Sequence, residues 1–209
     1  MSAEDIGEIL KHATRTDYAA GTTLYRQCET TRQFFWVQSG LVHLTHLTPQ
    51  GGSILVRIER SGDVFGYFSL VLEGPSVVSA TVTTPSRLAV WNSAVAMRLL
   101  ETFPRMSLNL FAITVRDVRH FYDRTRRLTS HRVGQRVEWA LAELARAIGI
   151  PSDTGVVVTH VTAQRELADL AGTTVYTVSR ELGRLERSGI LKKQRGRIIV
   201  LQPGSLMIR

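Results

Sequence analysis

The chain has 209 residues, 44% of them hydrophobic and 21% charged, proportions that fit a globular protein and exclude a disordered or fibrous one. Its longest apolar run, Val64 to Leu72, is roughly nine residues where a membrane helix needs ~20, and the acidic start Met1-Ser2-Ala3-Glu4-Asp5 lacks the basic and apolar parts of a signal peptide. A cytoplasmic protein with no membrane partner is expected, and its single cysteine, Cys28, excludes an internal disulfide framework and any cysteine-only metal or iron–sulfur site supplied by one chain.

The net charge of +8 is unevenly placed. Residues 1–114 carry nine basic and nine acidic side chains, so the whole excess falls in residues 115–209. A basic half joined to a neutral half points to one part that meets a polyanion and another with a different task.

From Gly21 to Trp91 the chain reads as short strands. Phe35-Trp36-Val37, Leu41 to Leu47, Ile54 to Ile58, Ala80 to Thr83 and Leu88 to Trp91 are rich in β-branched and aromatic residues. Turn signals divide them at Ser39-Gly40, Pro49 to Gly52, Ser61-Gly62-Asp63, Glu73-Gly74-Pro75 and Thr84-Pro85-Ser86. Strands this short and regularly spaced predict a small barrel or β-roll.

The period changes after Pro104, a suitable first-turn residue, with no further glycine or proline before Gly134. Leu108, Phe111, Val115, Val118, Tyr122, Thr125 and Thr129 recur at alternating steps of three and four, a coiled-coil seam beside Arg116, Arg119, Arg124, Arg126 and Arg127. Such a seam packs either on the chain's own β-domain or on a second copy. A long helix following an already complete β-domain favours a two-fold dimer, with Leu108, Phe111, Val115, Val118 and Tyr122 as its seam.

A second helix is predicted over Val133 to Ile148, ended by Gly149-Ile150-Pro151, and Val156-Val157-Val158 reads as a short strand. The stretch from Ala163 to Glu186 then has helix-turn-helix form. Leu167, Ala168 and Leu170 supply an apolar face, Gly172 suits a left-handed turn, and Thr173 or Thr174 can cap the next helix. Val178, Leu182 and Leu185, spaced i, i+4 and i+7, should face the core. Tyr176, Arg180, Gly183, Arg184 and Arg187 then lie on the opposite face, with Thr177 and Ser179 toward its edges. Arginine can donate two hydrogen bonds to a guanine edge, and short hydroxyl side chains allow close approach to bases and phosphates. A closing pair of strands, Ile190 to Lys193 and Ile198 to Leu201 around Arg195-Gly196, extends the basic surface, with seven basic and two acidic residues from Arg180 to Arg197. A solvated helical hairpin would share the spacing, but the added basic hairpin favours a winged DNA reader.

This order of elements resembles the cyclic-AMP receptor and fumarate–nitrate regulator superfamily of bacterial transcription factors over nearly the whole chain. The resemblance rests on Gly62-Asp63, Gly66, Leu167-Ala168-Asp169-Leu170-Ala171-Gly172, Val178-Ser179-Arg180, Leu182-Gly183-Arg184-Leu185 and Ser188-Gly189-Ile190-Leu191. It implies an α+β chain: an N-terminal β-roll over 1–103, a long dimerisation helix over 104–130 and a C-terminal winged helix-turn-helix over 131–209. It also implies a homodimer that binds a palindromic double-stranded site with a TGA-like half-site core. In that scheme Arg180 reads guanine beside Val175 and Ser179. Gln164 and Arg165 hold phosphate, with Thr162 capping one residue before Ala163, and Thr173, Thr174 and Arg184 lie along the same surface. Lys192, Lys193, Arg195 and Arg197 are wing contacts. Where the family usually places a glutamate that accepts from cytosine stands Tyr176, whose phenol cannot reproduce a carboxylate's charge. The segment Pro151 to Gly155 matches a surface through which relatives touch RNA polymerase and activate transcription.

The expected effector pocket departs further from the pattern. Counting from Gly66, the family's ribose-binding glutamate is Tyr67 and its phosphate-binding arginine is Val77, while its adenine-binding pair on the long helix is Phe121-Tyr122. Burying a phosphate opposite valine would leave its charge uncompensated, so cyclic AMP is not expected. Iron–sulfur sensing lacks its cysteines. A haem needs an axial histidine or cysteine, and His43 and His46, three residues apart in a strand, point to opposite faces. Two readings of the pocket stay open: Tyr67, Phe121 and Tyr122 fill it and leave the dimer competent without a ligand, or they line a site for an uncharged or aromatic effector or a haem. No metal, no cofactor and no enzymatic activity are expected. The contrasting functions are a β-barrel enzyme with a DNA tether and a nonspecific architectural DNA binder.

Overall fold

The computed structural model describes residues 2–49, 51–68, 74–158, 163–194 and 196–206. Two compact units divide the chain, Met1–Arg119 and His120–Arg209. Among the described residues no helix is long and apolar enough to cross a membrane.

The first unit is a β-roll. Its strands are β1 (Thr14–Tyr18), β2 (Thr23–Tyr25), β3 (Gln33–Leu47), β4 (Ser53–Glu59), β5 (Val64–Phe65) and β6 (Ser79–Asn92). They pair antiparallel in the order β1-β6-β3-β4, with β2 on β6 and β5 on β3. The long pair β3–β6 is the spine, and here the structure corrects two expected turns. Ser39-Gly40 and Thr84-Pro85-Ser86 lie inside continuous strands, at register shifts between Val37 and Val42. At this crossing Gly40 adopts φ +91°, and a Cβ on it would fall 2.6 Å from the Cα of Ser86. Only glycine lets the two strands cross this closely. The Ser86 hydroxyl accepts from Leu41 N at 3.0 Å and donates to Thr84 O at 2.7 Å, satisfying backbone groups that the bulge leaves out of the ladder.

Alternation along β3 divides the unit's apolar side chains between two cores. Phe35, Val37 and Val42 join Tyr25, Phe65, Val82 and Leu88 inside the roll, where Phe35 stacks on Phe65 with centroids 4.8 Å apart. Phe34 turns the other way, toward Ile9, Tyr67, Trp91, Leu99 and Met106. That second core is covered by two helices absent from the sequence reading, α1 (Ala3–Lys11) and α2 (Ser93–Thr102). A Ser2–Asp5 capping box starts α1, and the Asn92 side chain accepts from Val95 N to start α2. The Trp91 indole donates to Ile9 O at 3.0 Å and pins α1 to β6.

The helix α3 (Pro104–Ser130) follows, and the division between the units falls within it after Arg119. In the first unit Met106, Leu110 and Ile113 pack on the second core. The predicted seam is elsewhere: Leu108, Phe111, Val115 and Val118 are 67%, 68%, 42% and 47% exposed, and Tyr122 is 69% exposed. Packing on the chain's own β-domain therefore does not account for Leu108, Phe111, Val115 and Val118.

The second unit holds the end of α3, then α4 (Val133–Ile148), β7 (Ile150–Ser152), β8 (Gly155–Val158), α5 (Ala163–Ala171), α6 (Val175–Arg187), β9 (Leu191–Gln194) and β10 (Arg197–Val200). The strands form one antiparallel sheet in the order β7-β8-β10-β9. Val137, Ala140, Leu141 and Leu144 of α4 are buried, together with Leu167, Val178, Leu182 and Leu185. The order of elements is that of a β-roll followed by a winged helix-turn-helix, the α+β architecture expected.

Candidate nucleic-acid interface

Helix α6 owes its orientation to a short turn. Gly172 takes φ +59°, the left-handed conformation anticipated for it, and a Cβ there would press to 2.6 Å from Leu128 Cδ2. The Thr174 side chain then accepts from Thr177 N at 3.2 Å and starts α6. Two arginines close the turn from behind. Arg124 donates to Asp169 O at 2.8 Å, and Arg136 donates to both Leu128 O and Gly172 O. The Asp169 and Gly172 carbonyls lie at the C-terminal end of α5, where the helix dipole favours positive charge.

One face of α6 is fully withdrawn, with Val178, Leu182 and Leu185 at 0% exposure. The other carries Tyr176, 78% exposed, with Val175, Ser179 and Arg180 beside it. Gln164 and Arg165 are exposed in the first turn of α5, and Lys192, Lys193 and Arg197 are exposed on the β9–β10 wing. Thr173 is half-buried at the turn. Arg195 and Thr162 lie outside the described residues.

Three carboxylates on or beside this face were not singled out from the sequence. Arg184 places Nη2 2.5 Å from Glu138 Oε1 on α4 and Nε 2.9 Å from Glu181 Oε2 on its own helix. Arg180 Nη2 lies 3.5 Å from Glu181 Oε1, the outer limit of a hydrogen bond. Glu186 accepts from Lys193 N at 2.7 Å and lies 3.2 Å from its ammonium, and the backbone donor above all holds its carboxyl below the usual range. The i,i+3 spacing of Glu181 and Arg184 was visible in the sequence; Glu138, 46 positions away from Arg184, carried no such signal.

The residues named for an effector pocket fall in both units, Tyr67 and Val77 in the first and Phe121 and Tyr122 in the second. Val77 is 69% exposed, and Phe121 and Tyr122 are each 69% exposed on α3. Tyr67 is buried, and its hydroxyl donates to Asp117 Oδ2 at 2.9 Å. Arg57 reaches the same oxygen at 2.5 Å. Burial and the neighbouring carboxylate push the Tyr67 phenol up to about 12, so it remains a donor at any physiological pH. Below Arg57 lies Glu59, wholly buried. Arg57 Nε comes within 3.1 Å of its Oε1, yet neither carboxylate oxygen receives a well-directed hydrogen bond from the described residues. Burial outweighs the arginine and raises the Glu59 carboxyl to about 8. Sequence signals for this group were weak: Arg57 and Glu59, two apart on one strand, share a face within an otherwise apolar stretch. His43 is buried, and His46 Nδ1 lies 2.9 Å from Val77 O.

A β-roll joined to a winged helix-turn-helix, with an exposed polar face on the second helix of the turn, defines a DNA-binding transcription regulator. Known proteins agree. The family model for the cyclic nucleotide-binding domain matches residues 15–103, and that for the Crp-like helix-turn-helix domain matches residues 135–208. The cyclic AMP receptor protein of Thermus thermophilus is 28% identical over 211 residues, covering 100% of this chain and 90% of the relative. The CRP-like cAMP-activated global transcriptional regulator of Mycobacterium tuberculosis is 25% identical over 204 residues, 98% of this chain and 91% of its own. Among solved structures, the c-di-GMP responsive global regulator CLP of Xanthomonas campestris superposes with a TM-score of 0.83 at 20% identity, over 95% of this chain and 99% of that one. The chain belongs to the cyclic-AMP receptor and fumarate–nitrate regulator superfamily.

Proposed function

We propose that the protein is a homodimer that reads a palindromic DNA site with a TGA-like half-site core and needs no cyclic AMP to do so. The observation that carries this reading is α6 itself. Val178, Leu182 and Leu185 turn into the core, leaving Val175, Tyr176, Ser179 and Arg180 exposed beside a cationic wing. A helix so presented fits the major groove, where Arg180 can donate to guanine O6 and N7. Tyr176 faces the neighbouring base pair, with Val175, Thr173 and Thr174 near the backbone. Gln164 and Arg165 at the N-terminus of α5, and Lys192, Lys193, Arg195 and Arg197 on the wing, hold phosphates.

The exposed stripe from Leu108 to Tyr122 supports the dimer. Large apolar side chains at a coiled-coil period are costly to leave in water, and a second copy related by a two-fold axis presents the matching stripe. In this reading the chain divides into a sensor-like β-roll (1–103), a dimerisation helix (104–130) and a DNA-binding domain (131–209). The β7–β8 hairpin, which contains Pro151 to Gly155, is the proposed polymerase-facing surface.

Two relatives are named for cyclic AMP, and residues of this chain argue against that ligand here. The residue in the ribose position, Tyr67, is engaged with Asp117, and Val77 offers a phosphate no charge. Arg57, Asp117 and Tyr67 join β4, the turn after β5 and α3 by contacts internal to the chain, which supports a DNA-competent state without a ligand. Selection of sites from a random duplex pool by the ligand-free protein tests the reading. Recovery of a palindrome is expected, and a pool with no enriched sequence would overturn it.

A further inference from the structure

Seven basic residues lie between Arg180 and Arg197, and by charge alone each is equally suited to a phosphate. Their partners separate them. Arg184 is held by two carboxylates, Glu138 at 2.5 Å and Glu181 at 2.9 Å, whose side chains are only 14% and 12% exposed. Gly134, in the first turn of α4, leaves room for this arrangement, since a Cβ there would stand 3.0 Å from Glu181 Oε2. Lys193 differs: its ammonium lies 3.2 Å from Glu186, and both side chains are 36% exposed. Lys192 and Arg197 are exposed on the wing.

These environments predict opposite behaviour on DNA. An exposed pair such as Lys193–Glu186 is weak and screened, so a phosphate can take the lysine at little cost. Moving Arg184 to a phosphate would strip the cation from two largely buried acids, and uncompensated buried charge is among the most unfavourable states in a folded protein. Arginine also suits its present place, because the planar guanidinium presents different nitrogens to two acceptors at once, which lysine's point charge does not.

We infer that Arg184 is a positioning residue rather than a DNA contact, and that with Glu138 and Glu181 it fixes the recognition helix α6 against α4. Glu181 extends the arrangement to the reading surface, since its second oxygen lies 3.5 Å from Arg180 Nη2. The carboxylate therefore biases the direction in which Arg180 leaves the helix. The inference rests on the DNA-binding reading above and removes Arg184 from the DNA surface expected from the sequence.

The salt dependence of DNA affinity decides the matter, because the slope of log affinity against log salt counts phosphate contacts at about 0.9 each. Affinity for the selected operator and for a random duplex is measured across a range of KCl. Lys192→Met, which removes one phosphate contact in each half-site of the dimer, should flatten the slope by about 1.8, while Arg184→Met should leave it at the wild-type value. If Arg184→Met does not fold, Arg184→Gln, which keeps a donor for Glu181, is expected to give the same unchanged slope. Glu181→Gln should lower the preference for operator over random duplex about fivefold per half-site, roughly 25-fold for the dimer, the lower range for a mis-set guanine contact, with the slope unchanged. A slope flattened by either Arg184 variant as much as by Lys192→Met, or an undiminished preference in Glu181→Gln, would overturn this inference and leave the DNA reading standing. A wild-type chain with neither operator preference nor salt dependence would overturn both.

Discussion

Tyr67 donates its hydroxyl to Asp117 across 2.9 Å, and so fastens the turn after β5 to the helix α3. Arg57 meets the same carboxylate oxygen from β4 at 2.5 Å, so three elements converge on one acid. A hydrogen bond to a charged acceptor in a part-buried site contributes about 1.5–3 kcal/mol. Tyr67→Phe should therefore lower the unfolding free energy by roughly 1–2 kcal/mol and weaken operator binding by the ligand-free protein. Thermal unfolding and operator titration check this together. Unchanged stability and unchanged affinity would show that the bond does not hold the competent state.

Glu59 gives the first unit a distinctive pH dependence. Its carboxyl titrates near 8 in the folded chain against 4.5 unfolded, because burial disfavours the anion more than Arg57 restores it. Between those values the unfolded chain has released a proton that the folded chain keeps. Stability therefore falls as pH rises from about 5 to 8, by up to roughly 1 kcal/mol per pH unit, and levels off above that. Glu59→Gln should flatten this part of the profile, as followed by denaturant unfolding at a series of pH values. A wild-type profile that rises across the same interval would contradict the assignment.

The turn before α6 is equally open to test. Gly172→Ala forces a side chain into a left-handed backbone and against Leu128, and should cost about 1–2 kcal/mol in unfolding. Because the same turn aims α6, operator affinity should fall with it. Gly189→Ala is a useful control: φ is +71° there, but a Cβ would meet nothing within 4 Å, so backbone strain acts alone.

Base reading is assigned to Arg180 and Tyr176. Arg180→Ala should cost about 1–3 kcal/mol per half-site and relax the choice at one base pair in each. Tyr176→Glu, which installs the carboxylate usual in relatives, should change the preferred base at the adjoining position and leave the rest of the half-site intact. Site selection with each variant reads both effects. An unaltered consensus from Tyr176→Glu would place that side chain away from the bases.

Much of this molecule was legible in its sequence, and the omissions share a physical cause. The core face of α6 followed from Val178, Leu182 and Leu185 because helical periodicity is a local property. The left-handed Gly172 followed from residue chemistry alone, which narrowed the cap to Thr173 or Thr174, and the structure selects Thr174. Ser39-Gly40 and Thr84-Pro85-Ser86 misled because glycine and proline mark a strand bulge as readily as a turn, and only the partner strand decides between them. Helices α1 and α2 are short, and their signals, Ser2 with Asp5 and Asn92, are weak until Trp91 and Met106 give them a core to cover. Arg184 looked like its basic neighbours because composition counts charges without showing which are already neutralised. Its partner Glu138 comes from another helix.

Two copies of α6 are proposed to read one symmetric site without a ligand. Titrating ligand-free protein against the full palindrome and against one isolated half-site, with the mass of each complex measured by light scattering, tests this directly. Two chains per duplex on the palindrome, with far weaker binding to the half-site, is the predicted result. A single chain that binds both duplexes equally well would contradict it.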